Sequence, residues 1–159
     1  MAHPTLQYLT REYLERNPTW DLEYTPLKAS IVAGVLANNG IHPASICEVG
    51  CGSGGCLAEL RTIYPEVALS GYDIAPTAAS FWTQYDGLNI HFEVGDVLQK
   101  TSLKCEVLLM LDVIEHLPDP TAFFPRCMER QIITCSIFRL TYQRRVSLEK
   151  PLCSMCETR

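Results

Sequence analysis

The stretch Ser45-Ile46-Cys47-Glu48-Val49-Gly50-Cys51-Gly52-Ser53-Gly54-Gly55 decides the fold. Its first five residues form a short apolar run that reads as a buried strand. The strand opens into closely spaced glycines, and a helix is expected from Cys56 to Tyr64, closed by Pro65. Glycine admits backbone angles that other residues avoid, and its missing side chain lets a ligand approach the main chain. The start of the following helix adds unpaired N–H donors and a positive dipole end, which suit a carboxylate or a phosphate. Gly50, Gly52 and Gly55 also satisfy G-x-G-x-x-G, a dinucleotide-type pattern. The plain alternative is a glycine-rich turn with no ligand.

Downstream, strands and helices alternate. Val67 to Tyr72 reads as a second strand ending in Asp73, Pro76 to Tyr85 as a helix, Ile90 to Val94 as a third strand and Glu106 to Leu111 as a fourth. Such alternation implies parallel pairing, hence an α/β, doubly wound sheet. Gln131 to Phe138 is a candidate fifth strand, and residues 139–159 show neither period and read as a poorly ordered tail. Upstream, residues 5–16 have loose helical spacing ended by Asn17-Pro18. A second helix fits 26–39, with Leu27, Ile31, Val32, Val35 and Leu36 on a 3.6-residue stripe. The expected organisation is a helical lead over residues 1–40, a binding domain over 41–138 and the tail over 139–159.

Asp73 sharpens the reading of the glycine loop. It follows Gly54 by about 20 residues, at the end of the second strand, where a carboxylate can accept hydrogen bonds from both ribose hydroxyls.

Composition narrows the classes. Hydrophobic residues make up 47% of the 159 and charged residues 19%, enough apolar material for one packed domain. The net charge of −5 gives no general attraction to a phosphate backbone, and Arg139, Arg144, Arg145 and Lys150 are too sparse to form a basic tract, so no nucleic-acid partner is expected. No signal peptide or membrane-length apolar run is visible, which places the chain in the cytoplasm as an expectation. Eight cysteines, at 47, 51, 56, 105, 127, 135, 153 and 156, are expected reduced. Cys153-x-x-Cys156 supplies two of the four ligands a structural zinc needs.

These residues resemble a known family. Glu48-Val49-Gly50-Cys51-Gly52-Ser53-Gly54 is similar to the E/D-x-G-x-G-x-G motif of class I S-adenosylmethionine-dependent methyltransferases. Gly71-Tyr72-Asp73-Ile74 resembles the second motif of that family, and Gly95-Asp96-Val97 its third-strand end. The segment from Leu111 to Asp119 resembles the fourth-strand region of its small-molecule and quinone-type members. The resemblance implies a Rossmann-like sheet, S-adenosylmethionine as cofactor, and methyl transfer to a small-molecule or lipid-like acceptor. It implies that Glu48 braces the loop and the methionine end, and that Gly50, Gly52 and Gly54 let the main chain touch the amino acid moiety. Asp73 would hold the ribose, Ile74 would pack on adenine, Asp96 would accept from the adenine amino group with Val97 beside it, and the Leu111 carbonyl would face the ammonium.

The pattern departs downstream. Such enzymes usually carry seven strands, a glycine-containing turn before the fifth and a final antiparallel pair. No glycine follows residue 95, and few residues follow Arg126. An incomplete sheet of four or five strands is therefore expected.

For chemistry, Asp112, Glu115 and His116 follow the fourth strand, at the edge where ligands of such sheets bind. A helix beginning at 113–117 would place the three on one face. His116 is the candidate base, since imidazole titrates near neutral pH; bracing the loop is the competing role. Asp-x-x-Glu-His is also similar to the metal cluster of small-RNA 2′-O-methyltransferases, but that family needs a further histidine and none follows His116. Tyr8, Tyr13 and Trp20 are candidates to cap an acceptor pocket, or to pack on the sheet. Rival functions are an NAD-type dehydrogenase half-domain and a degenerate cofactor-binding module without turnover.

Overall fold

The computed structural model describes residues 6–100, 103–117, 119–128 and 133–137. The expected tail, with Cys153 and Cys156, lies outside them. Five strands among these residues form one all-parallel sheet: β1 (Ser45–Val49), β2 (Ala68–Asp73), β3 (Ile90–Val94), β4 (Val107–Leu111) and β5 (Ile133–Ile137), in the order β3-β2-β1-β4-β5. The direction of winding reverses between β1 and β4, the switch point of a Rossmann-like sheet. Helices α1 (Leu6–Leu9), α2 (Glu12–Arg16), α3 (Thr25–Asn38), α4 (Gly55–Ile63), α5 (Ala79–Trp82) and α6 (Pro120–Met128) complete the described regular structure, apart from single 3-10 turns. None of these helices is long and apolar enough to cross a membrane.

Because both faces of a parallel sheet are covered, its strands are apolar in both directions. All five residues of β4 are buried. Its odd-numbered residues Val107, Leu109 and Leu111 join Ile46, Leu57, Leu60, Val32 and Leu36 under α3 and α4. Leu108 and Met110 join Cys47, Val49, Val97, Ile114 and Phe123 on the opposite face.

The stripe expected on α3 is displaced. Leu27 and Ile31 are exposed, and the buried face is Thr25, Ala29, Val32 and Leu36. The helix is apolar on all sides, so spacing could not choose its inner face. Close packing on α4 did, for a Cβ on Gly55 would lie 2.8 Å from Thr25 Cγ2. Two expected helices are also interrupted. The helix expected over 5–16 is divided, within the described residues, into α1 and α2, and 76–85 form a turn of α-helix between two 3-10 turns. The cysteines at 47, 51, 56 and 105 are buried and outside any disulfide.

Arg61, in the last turn of α4, donates to the carbonyls of Tyr64 (3.2 Å), Pro65 (2.7 Å), Val67 (2.8 Å) and Asn89 (2.9 Å). It satisfies the C-terminal end of the helix and ties the α4–β2 connection to the start of β3. Arg61→Met removes these bonds while keeping much of the apolar stem. A loss of about 2 kcal/mol or more in urea denaturation is expected; an unchanged midpoint contradicts this role.

Candidate functional site

The carboxyl ends of β1, β2 and β4 open into one cavity of about 390 Å³, within the range of small-molecule sites. The sequence-predicted residues Glu48, Gly50, Gly52, Asp73, Ile74, Leu111 and His116 all line it. Gly54, Asp96 and Val97 do not. Gly54 is the left-handed residue that starts α4, and Val97 is buried beneath the sheet with Tyr72 and Met110. The Asp96 carboxylate caps its own turn, with Oδ1 accepting from the Leu98 amide at 2.9 Å.

The glycine loop uses four of its amides within the fold. The Gly50 and Cys51 amides donate to the Tyr72 carbonyl at 2.7 and 3.2 Å, Gly54 to the Cys51 carbonyl at 2.8 Å, and Gly52 to Asp73 Oδ2 at 2.8 Å. Four donors are thus engaged within the fold. The close approaches to the glycines are also made by protein side chains. Gly52 has φ 51°, and a Cβ there would meet the Trp20 indole nitrogen at 2.5 Å. Val113 fills the corresponding space at Gly50, and Phe92 at Gly54. The loop needs small residues because the N-terminal lead, β3 and the β4 exit close on it.

Acceptors, by contrast, converge on the cavity. Asp73 is 8% exposed, and its Oδ1 takes the Ala75 amide at 2.8 Å. Burial raises its pKa, opposed by the bonds from Ala75 and Gly52. Each carboxylate oxygen keeps lone-pair capacity for a further donor. Glu48 is 3% exposed, and its Oε2 is buried without a hydrogen-bond partner. Burial pushes the Glu48 carboxyl up to about 8, against the lowering effect of the Lys28 ammonium. A buried oxygen without a partner is costly, and Oε2 has capacity for one further hydrogen bond.

Lys28 was not legible as a site residue, yet it projects from α3 into the cavity and pairs with Asp112 Oδ2 at 3.0 Å. The available signal was its being the sole charge in the run Thr25–Asn38. Asp112 has φ 55° and precedes a 3-10 turn, Ile114–His116, instead of the helix considered for 113–117. Asp112, Glu115 and His116 all still line the cavity. The His116 ring lies 5.4 Å from that of Tyr8, which contacts Tyr13 at 4.7 Å, and Tyr13 meets Trp20 at 5.0 Å. These rings form the wall supplied by the N-terminal lead. Among the described residues, no group of three or more His, Cys, Asp or Glu side chains is placed to hold a metal ion.

A switch-point cavity with a glycine loop, a buried carboxylate at the end of β2 and acidic residues past β4 defines a Rossmann-like α/β domain with its candidate site at the strand ends. Residues 47–130 match the methyltransferase domain family, and the chain belongs to that family. A ubiquinone biosynthesis O-methyltransferase of Coxiella burnetii is 24% identical over 107 residues, covering 64% of this chain and 44% of the relative. The chain therefore spans under half the length of the curated relatives it matches. Similar solved folds include the plantazolicin methyltransferase BpumL, crystallised with SAH, at TM-score 0.62 and 16% identity over 82% of this chain and 55% of that one. A putative sarcosine dimethylglycine methyltransferase from Galdieria sulphuraria has TM-score 0.57 and 24% identity over 66% and 42%.

Proposed function

We propose that this chain binds S-adenosylmethionine in the switch-point cavity and directs its methyl group to a small-molecule acceptor. The observation that carries the reading is the polarity of the site. The Gly50, Cys51, Gly52 and Gly54 amides are engaged internally, while the buried Glu48 Oε2 and the Asp73 carboxylate keep acceptor capacity at the cavity. S-adenosylmethionine brings an ammonium and two ribose hydroxyls, all donors. A dinucleotide brings a pyrophosphate with two negative charges, against the one carboxylate of S-adenosylmethionine, and the Asp73 carboxylate repels it the more strongly.

In this reading Asp73 takes the ribose hydroxyls, Glu48 and the Leu111 carbonyl face the ammonium, and Ile74 lies along the adenine. Gly50 and Gly52 keep the floor of the site low, and Gly54 sets the start of α4. Asp96 and Val97 mark where the adenine edge would extend beyond the enclosed cavity. When bound, the cofactor supplies a methyl group already activated for displacement on a sulfonium. The chain's own task is to hold the acceptor in line, a contribution worth roughly 7–11 kcal/mol at best. His116, on the cavity wall, takes a proton where the acceptor must lose one.

Isothermal titration of the full chain with S-adenosylhomocysteine and, separately, NAD tests the reading. One-to-one heat with the first and none with the second is expected. Heat with NAD alone, or with neither, overturns it.

A further inference from the structure

Among the described residues, the cavity lining carries the carboxyl groups of Asp21, Glu48, Asp73, Asp112 and Glu115 against the single ammonium of Lys28. Lys28 is matched by Asp112. Even with Glu48 protonated and a cofactor of net charge +1 in place, the lining stays negative. An anionic acceptor would be repelled by such a lining. The aromatic wall lies within the same acidic field. Burial raises the Tyr8 phenol and a hydrogen bond to Gln7 lowers it, while Glu115, Asp73 and Asp21 each add an upward push. Asp21, Asp73 and Glu115 line the same cavity as Tyr8, whose ring contacts Tyr13 and His116.

Aromatic faces flanked by carboxylates attract a desolvated cation, quaternary and tertiary ammonium groups above all. We propose that the methyl acceptor is an amine, and that the wall of Tyr8, Tyr13 and Trp20, with Asp21 and Glu115 beside it, receives its nitrogen. The assignment rests on the cofactor reading above. The reaction's own charge movement favours it. An amine lone pair forms the N–C bond while the C–S bond breaks with its electron pair kept by sulfur, so positive charge passes from sulfur to nitrogen. A primary or secondary amine then loses its N–H proton to His116 or to water. The wall thus meets a charge that grows during the step, which is where stabilisation accelerates a reaction. A phenolate acceptor would instead bring a negative charge into a ring of carboxylates.

The test uses the full chain saturated with S-adenosylhomocysteine, whose sulfur is neutral. It is titrated with choline, with the uncharged isostere in which a quaternary carbon replaces the nitrogen, and with catechol. Choline is expected to bind roughly tenfold or more tightly than the isostere. Tyr8→Leu and Glu115→Gln should each shrink that ratio while leaving S-adenosylhomocysteine affinity within about twofold. Glu115 is exposed on a short turn, so its near-isosteric variant remains informative should Tyr8→Leu disturb the lead. Equal binding of the isostere or of catechol, or no binding of choline, overturns the amine assignment. Failure of S-adenosylhomocysteine to bind is seen before choline is added, and overturns the cofactor reading instead.

Discussion

Asp73→Ala is expected to weaken S-adenosylhomocysteine binding by a hundredfold or more. Each hydrogen bond from a ribose hydroxyl to a carboxylate is worth roughly 1.5–3 kcal/mol, and one residue offers both. The variant also orphans the amides of Gly52 and Ala75, which use the same carboxylate at 2.8 Å each, so the loop loosens as the ligand contact disappears. Asp73→Asn keeps one neutral acceptor and should fall between the variant and the parent. Calorimetry reads the affinity, and a thermal melt of each variant separates lost binding from lost folding. A folded Asp73→Ala protein that binds within about threefold of the parent removes Asp73 from the site, since threefold is under 1 kcal/mol.

The second large effect is on stability. Glu48 keeps its proton in the folded protein up to about 8, whereas the unfolded chain releases it near the ordinary value of 4.5. The folded pKa is the higher one. Its contribution is therefore fully present below about pH 4.5 and is lost as pH rises through about 8. At about 1.4 kcal/mol per unit, the change across the window is at most about 5 kcal/mol. Glu48→Gln, which mimics the protonated acid, should flatten this profile. Urea unfolding at about pH 5 and about pH 9 should show the parent losing stability relative to the variant. Parallel profiles would mean that the carboxyl is ionised throughout. An ammonium donor at Oε2 favours the ionised form, so S-adenosylhomocysteine should release a proton from the parent near neutral pH and none from Glu48→Gln. Titration in two buffers of different ionisation enthalpy measures that proton.

Local pattern was enough for the sheet. The limits of β1 and β3 coincide with the runs Ser45–Val49 and Ile90–Val94, because a buried strand bounded by glycine or turn residues has few other ways to fold. The fifth strand also forms within its expected span, paired with β4. The inner face of α3 was not legible, since an apolar helix carries no preferred side until α4 packs on it. Within the site, Glu48, Asp73 and the loop could be found because strand ends place them near one another by topology. The Lys28–Asp112 pair joins residues far apart in sequence, and no spacing rule anticipates such a contact. The engagement of the loop amides was equally hidden, for it depends on the Tyr72 carbonyl and the Asp73 carboxylate arriving from the neighbouring strand.

The chain has two tryptophans, and both clasp Gly52: the Trp20 indole lies over its Cα, and the Trp82 indole nitrogen donates to its carbonyl at 2.9 Å. Tryptophan emission from this molecule is consequently sensitive to the peptide unit at the floor of the cavity. An occupant that shifts that unit announces itself in the spectrum without any attached dye, and Trp20→Phe or Trp82→Phe tells which side of the loop it touched.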